Sequence, residues 1–88
     1  MSYTVDQFRA DLAEPYGWPG GYPRFFVLSD GEALSYNAAR SEQALIEQAI
    51  ADADDSGWRV VACDINWEDS ELTCAHTGAL IESAYGND

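Results

Sequence analysis

The run Trp-Arg-Val-Val-Ala-Cys-Asp-Ile-Asn-Trp at residues 58–67 is the stretch that most limits how this chain can fold. Its β-branched and aromatic residues suit a pleated strand. Gly57 separates it from what precedes, and Glu68-Asp69-Ser70 reads as a turn. The spacing therefore predicts a central strand, with residues 72–74 folding back on it as a second hairpin. Side chains alternate along a strand, so Arg59, Val61, Cys63, Ile65 and Trp67 are expected on one face and Trp58, Val60, Ala62 and Asp64 on the other. Both faces are largely apolar near the middle, which places Trp58 in the core.

A first hairpin is expected where Asp30-Gly31 joins two apolar runs, because Asp-Gly supplies the positive φ angles of a two-residue turn. In that register Val27 faces Leu34 and Phe25 faces Tyr36, and this side is the better core face. Upstream, Thr4-Val5-Asp6-Gln7 is a capping box opening a short helix lined by Val5, Phe8 and Leu12, which must stop by Glu14 because Pro15 follows. Ser41 is expected to cap the main helix, with Leu45, Ile46, Ala49, Ile50 and Ala53 inward and an end at Ser56-Gly57. Residues 16–23 alternate aromatics with Gly and Pro and read as a loop. The expectation is one domain over residues 1–88, of the α+β class: two antiparallel hairpins in a small sheet, one main helix packed on one face, and a short N-terminal helix.

Charge bounds the function. Sixteen acidic residues face four basic ones, all Arg, for a net charge of −12. Direct binding to nucleic acid or to an anionic membrane is disfavoured. The halves differ: residues 1–40 carry a net −2 and residues 41–88 a net −10. Two cysteines are too few for a secreted disulfide scaffold, and no cationic start leads into an apolar run, so reduced thiols in a cytoplasm are expected.

Asp52, Asp54 and Asp55 fall in the last turn of the main helix, where the helix dipole disfavours negative charge. Asp52 to Gly57 matches the opening of an EF-hand loop, but position twelve is Cys63 where a bidentate Glu is required, and a strand follows where a helix should. Cys63, Cys74 and His76 are the residues available for a metal. Their spacing is not that of a zinc ribbon, and a buried small thiol is the more economical reading of Cys63, so no metal or other cofactor is expected. A Cys-His nucleophile lacks a third group to orient the imidazole, which argues against an enzyme. Tyr16, Trp18 and Tyr22 form a candidate aromatic binding loop. The remaining candidate surface is the acid array Asp52, Asp54, Asp55, Asp64, Glu68, Asp69 and Glu71, with Glu82 beyond it. Carboxylates spaced along a surface imitate a phosphate backbone and suit the basic groove of a nucleic-acid-binding protein.

Gly20-Gly21-Tyr22-Pro23, Asp30-Gly31, Ser56 to Val60, Asn66 to Asp69, Cys74 with His76-Thr77-Gly78, and Ile81 to Tyr85 together resemble a group of small acidic proteins carried by phages and other mobile elements. Some relatives carry extra cysteines in a zinc-ribbon-like pair; here those regions read Tyr-Asn-Ala-Ala-Arg and Cys-Ala-His-Thr-Gly. The resemblance implies a non-catalytic inhibitor of a host defence complex, of the anti-CRISPR or anti-restriction type, acting in the host cytoplasm on the basic groove of a nucleic-acid-binding protein. The alternative is a small regulatory or metal-binding module using Cys63, Cys74 and His76.

Overall fold

The computed structural model describes residues 3–14, 16, 17, 22–53, 57–67 and 71–81, with the backbone alone at 16 and 17. Its order is α1 (Val5–Leu12), β1 (Tyr16–Gly17), β2 (Tyr22–Leu28), β3 (Ala33–Leu34), α2 (Tyr36–Ser41), α3 (Gln43–Asp52) and β4 (Val60–Ile65). Every strand pairs with β2, and every pairing is antiparallel. β3, β2 and β4 make a three-stranded sheet to which β1 adds two residues. The α+β class is as expected. The central strand, however, is β2 and not the 58–67 run, whose regular part is β4.

The hairpin at Asp30-Gly31 forms with a longer loop than expected. Leu28 donates its N–H to the Glu32 carbonyl at 2.8 Å, and Gly31 donates to the Leu28 carbonyl at 2.9 Å. The loop is thus Ser29-Asp30-Gly31, with Gly31 at φ 87°, the three-residue type in which a glycine takes the left-handed position. Asp30 Oδ1 accepts from the Glu32 N–H at 3.0 Å and steadies the turn. The extra residue moves the register by one, so Phe26 lies opposite Leu34 and Val27 opposite Ala33. A one-residue slip exchanges the faces of a strand. The core face therefore carries Phe26, Leu28 and Leu34, all buried, while Phe25 and Val27 are half-buried on the other side.

β4 departs from simple alternation for a related reason. Val27 pairs with Ala62 and Leu28 with Val60, which leaves Val61 as a bulged extra residue, exposed to solvent. Val60 consequently joins Cys63 and Ile65 on the side of Phe26, and Val61 leaves it. The expected second hairpin is also absent among the described residues. Thr73 bridges to Leu80, Ile81 donates to the Leu72 carbonyl at 2.8 Å, and Ala75 donates to Ala33 of β3 at 2.8 Å. Asn66, buried after β4, fastens this segment through its Nδ2 donating to the Ile81 carbonyl at 3.2 Å. Residues 68–70 and 82–88 lie outside the described set, as do 54–56.

The helices cover the Phe26 face. Thr4 and Gln7 form the expected capping box, and α1 buries Phe8 and Leu12 before ending at Ala13. The Phe8 and Tyr36 rings lie 5.2 and 4.6 Å from that of Phe26, both tilted against it. Helix α2 was not expected: Ser35 Oγ accepts from the Ala38 N–H at 3.2 Å and turns the chain out of β3 into a helix. Ser41 accordingly ends α2 and does not cap α3, whose N-cap is Glu42 with no side-chain bond. On α3, Ile46 and Ala49 are buried, but Leu45 is 49 % exposed and Ala53 lies past the helix end. No helix among the described residues is long and apolar enough to cross a membrane.

α1 is tied to α3 by a two-pronged pair in which Arg9 Nε and Nη2 donate to Glu47 at 3.0 and 2.8 Å, with Gln43 adding a third bond at 2.8 Å. These donors hold the Glu47 carboxyl down to about 2, from an ordinary value of 4.5. A depressed carboxylate stabilises the fold above its unfolded pKa and loses that contribution as pH falls through the folded one. Glu47→Gln should therefore be less stable at neutral pH and show a shallower loss of stability between pH 4.5 and 2, read by chemical denaturation across that range. Phe26→Ala empties the centre of the core and should cost about 3–5 kcal/mol, a large part of what a domain of this size possesses. A denaturation midpoint within error of the parent would contradict that placement.

Candidate functional site

The four arginines account for the charge pattern. Arg9 binds Glu47, as above. Arg24 donates to Asp11 Oδ1 at 2.9 Å and to the Glu14 carbonyl at 3.1 Å, and Arg40 donates to the Leu12 carbonyl at 3.3 Å. The Tyr36 hydroxyl donates to the Asp11 carbonyl at 2.6 Å and lies 3.1 Å from that of Glu14. With its proton directed there, the hydroxyl oxygen accepts from the Cys63 thiol 3.5 Å away. Tyr3 completes the group with a bond to the Asp11 carboxylate. Burial and these neighbours raise the pKa of both tyrosines, and burial pushes the Cys63 thiol up. This network satisfies the carbonyl end of α1 with cations and a hydroxyl, as a helix C-terminus requires. Arg59 acts similarly on α3, its Nη1 reaching the Ala53 carbonyl at 3.4 Å. The basic residue that the last turn of α3 lacks in sequence is thus supplied from just before β4.

The acid array is distributed over the surface. Asp52 is the last residue of α3, exposed, and accepts from Gln48 Nε2 at 2.7 Å. Asp64 is exposed on β4 opposite Phe25, with Oδ1 accepting the Ile65 N–H at 2.8 Å. Glu71 is exposed beyond β4. Arg59, just ahead of β4, contacts the residue after Asp52, while Asp64 lies near the other end of β4. Asp54, Asp55, Glu68 and Asp69 lie outside the described residues. So do Trp18 and the side chain of Tyr16 from the aromatic loop. Tyr22 is half-buried with its ring 4.7 Å from that of Trp67. Trp67, 46 % exposed, belongs to the aromatic surface although the sequence placed it in the central strand.

Cys63, Cys74 and His76 have separate surroundings. Cys63 sits against Tyr36. Cys74 is 2 % exposed beside Ser35, whose N–H donates to its sulfur at 3.4 Å. Burial opposes ionisation of Cys74, but the Ser35 amide, the Thr77 hydroxyl and the His76 backbone outweigh it and hold the thiol down to about 6. His76 is exposed and its ring stacks on Trp58, centroids 3.8 Å apart and planes within 9°. Its Nε2, 2.7 Å from the Gly57 carbonyl, carries the proton and donates. Among the described residues no three His, Cys, Asp or Glu side chains converge on a point where a metal would sit.

One concave feature lies beside the stacked pair. Asn37, Ala38 and Ser41 of α2, Glu42 at the α2–α3 junction, and Trp58, His76 and Thr77 line an open cleft of about 410 Å³. The sequence pointed to Trp58 as a core residue, to Ser41 as a helix cap and to His76 as a metal candidate, but not to a cleft. The cleft is a product of α2, whose one local sign was a serine three residues ahead of an alanine pair. Comparison of the chain with protein-family models, curated proteins and solved structures gives no match.

Trp58 is half-buried, packed against the core from outside the strand and faced by His76, so it is a wall of the cleft as well as a packing residue. Trp58→Ala should cost about 2 kcal/mol, below the 3–5 kcal/mol of a fully buried Trp. Thermal denaturation checks this, and a loss at the upper figure would place the ring wholly in the core.

Proposed function

We propose that the protein is a non-catalytic binding module that docks an acidic surface onto the basic, nucleic-acid-binding face of another protein. One observation carries this reading: all four arginines make bonds within the fold, Arg9 and Arg24 to carboxylates, while Asp52, Asp64 and Glu71 are exposed. The chain has no lysine to balance them. Arg9 and Arg40 are themselves exposed but engaged in these bonds, so the surface is predominantly negative, which favours encounter with a cationic groove and repels nucleic acid itself. The resemblance to small mobile-element proteins supports the narrower form, an inhibitor of a host defence complex of the anti-CRISPR or anti-restriction type.

The test begins with affinity capture from a bacterial lysate and then uses the retained partner in purified form. Asp52→Asn, Asp64→Asn and Glu71→Gln combined should leave the fold as stable as the parent or slightly more so, because like charges are removed from the surface. The same variant should weaken the complex about tenfold, as three interfacial charges of modest worth would. Added salt should weaken the parent complex steeply, since exposed charges are screened beyond about 8 Å near physiological ionic strength. Full binding by the triple variant, indifferent to salt, would overturn the reading and move attention to Tyr22 and Trp67.

A further inference from the structure

The cleft contains three polar side chains that the fold does not use. Among the described residues, Asn37, Ser41 and Glu42 make no side-chain hydrogen bond or ion pair, although each lines the same hollow. Glu42 occupies the N-cap position of α3 without capping it, so its carboxylate is available. Thr77 differs, since its Oγ1 accepts the Ala79 N–H at 3.2 Å. Beside these groups stands the His76–Trp58 stack, two rings face to face, with His76 also bonded to the Gly57 carbonyl. Convergent polar groups around an aromatic wall are the ordinary make-up of a ligand site.

The chemistry of the lining selects the occupant. An anion would meet the Glu42 carboxylate and a net charge of −12. An apolar group would bury an amide, a hydroxyl and a carboxylate without partners. A cation satisfies all three, since a carboxylate, an amide oxygen and a hydroxyl oxygen accept hydrogen bonds. Between the two common cationic side chains, a guanidinium is planar, carries five donors in a fork that matches a carboxylate, and stacks on aromatic rings; an ammonium does none of these as well.

We propose that this cleft is the seat of a single arginine side chain contributed by the basic partner, with Glu42 pairing its guanidinium, Asn37 and Ser41 accepting from it, and the His76–Trp58 stack supporting its plane. The assignment rests on the reading of a basic partner given above. It adds a specific anchor to a surface that otherwise works by diffuse charge.

N-acetyl-arginine amide titrated into the isolated protein, followed by amide and indole NMR shifts, tests it without the partner. Saturable shifts confined to the Asn37 side-chain amide, the Trp58 indole N–H and residues 76–77 are expected. Glu42→Gln should weaken them about tenfold, the loss of one charge-assisted pair. N-acetyl-citrulline amide, of the same shape without the charge, should bind as weakly, and N-acetyl-lysine amide should be intermediate. The Asp52, Asp64 and Glu71 triple variant should bind the arginine probe as the parent does, because α3 carries Asp52 about 15 Å from Glu42 at 1.5 Å per residue. Shifts that spread over the acidic surface without saturating, or that Glu42→Gln leaves unchanged, would overturn the proposal while leaving the acidic-surface reading intact. A partner complex insensitive to the triple variant, alongside arginine binding that Glu42→Gln abolishes, would instead overturn that reading and keep the cleft.

Discussion

The end of α1 is the constraint on which the rest of the structure depends. A helix C-terminus leaves carbonyls that must find donors, and here three donors come from two separate elements: Tyr36 and Arg40 of α2, and Arg24 on β2. Tyr36 also packs its ring on Phe26 at 4.6 Å, so one side chain links the polar anchor to the apolar core. Moving α1 would strand the Asp11 and Leu12 carbonyls and uncover Phe26 at once. The direction of α2, and with it the placing of α3, follows from this joint.

That use of the arginines shapes the surface. A chain with four cations and sixteen anions has little choice about net charge, but it can choose where the cations go. Two are placed at the end of α1, one across α1 and α3, and one at the end of α3. Each neutralises a helix terminus or a carboxylate that packing brings inward. The exposed acids Asp52, Asp64 and Glu71 carry part of the surplus negative charge at the surface.

The cleft arises from the same geometry. Because Ser35 turns the chain into α2 so soon after β3, α2 and α3 meet at Glu42 with only that residue between them. The junction then faces the residues preceding β4 and the tight turn at 74–78, where the Gly78 N–H returns to the Cys74 carbonyl at 2.8 Å. Side chains from three distant parts of the sequence come to line one hollow, next to a ring pair whose members are eighteen residues apart.

Local signals in the sequence determined the capping box and extent of α1, the strand character of β2 and β4, the turn at Asp30-Gly31, and the inward side of α3 at Ile46 and Ala49. These depend on hydrogen bonds within a few residues or on strong periodicity, and both are written in neighbouring positions. Register was beyond such reasoning: one additional loop residue at Ser29 and one bulged residue at Val61 reversed which side chains face the core, and neither has a signature apart from the strands it joins. The candidate acids were legible as a surplus of charge, but their spacing was not, since the span of β4 separates Asp52 from Asp64. Only the tertiary structure decided that Arg59 would complete the end of α3 and that Asn37, Ser41 and Glu42 would converge on Trp58 and His76, because contacts between residues far apart in the chain exist only once the sheet and helices have packed.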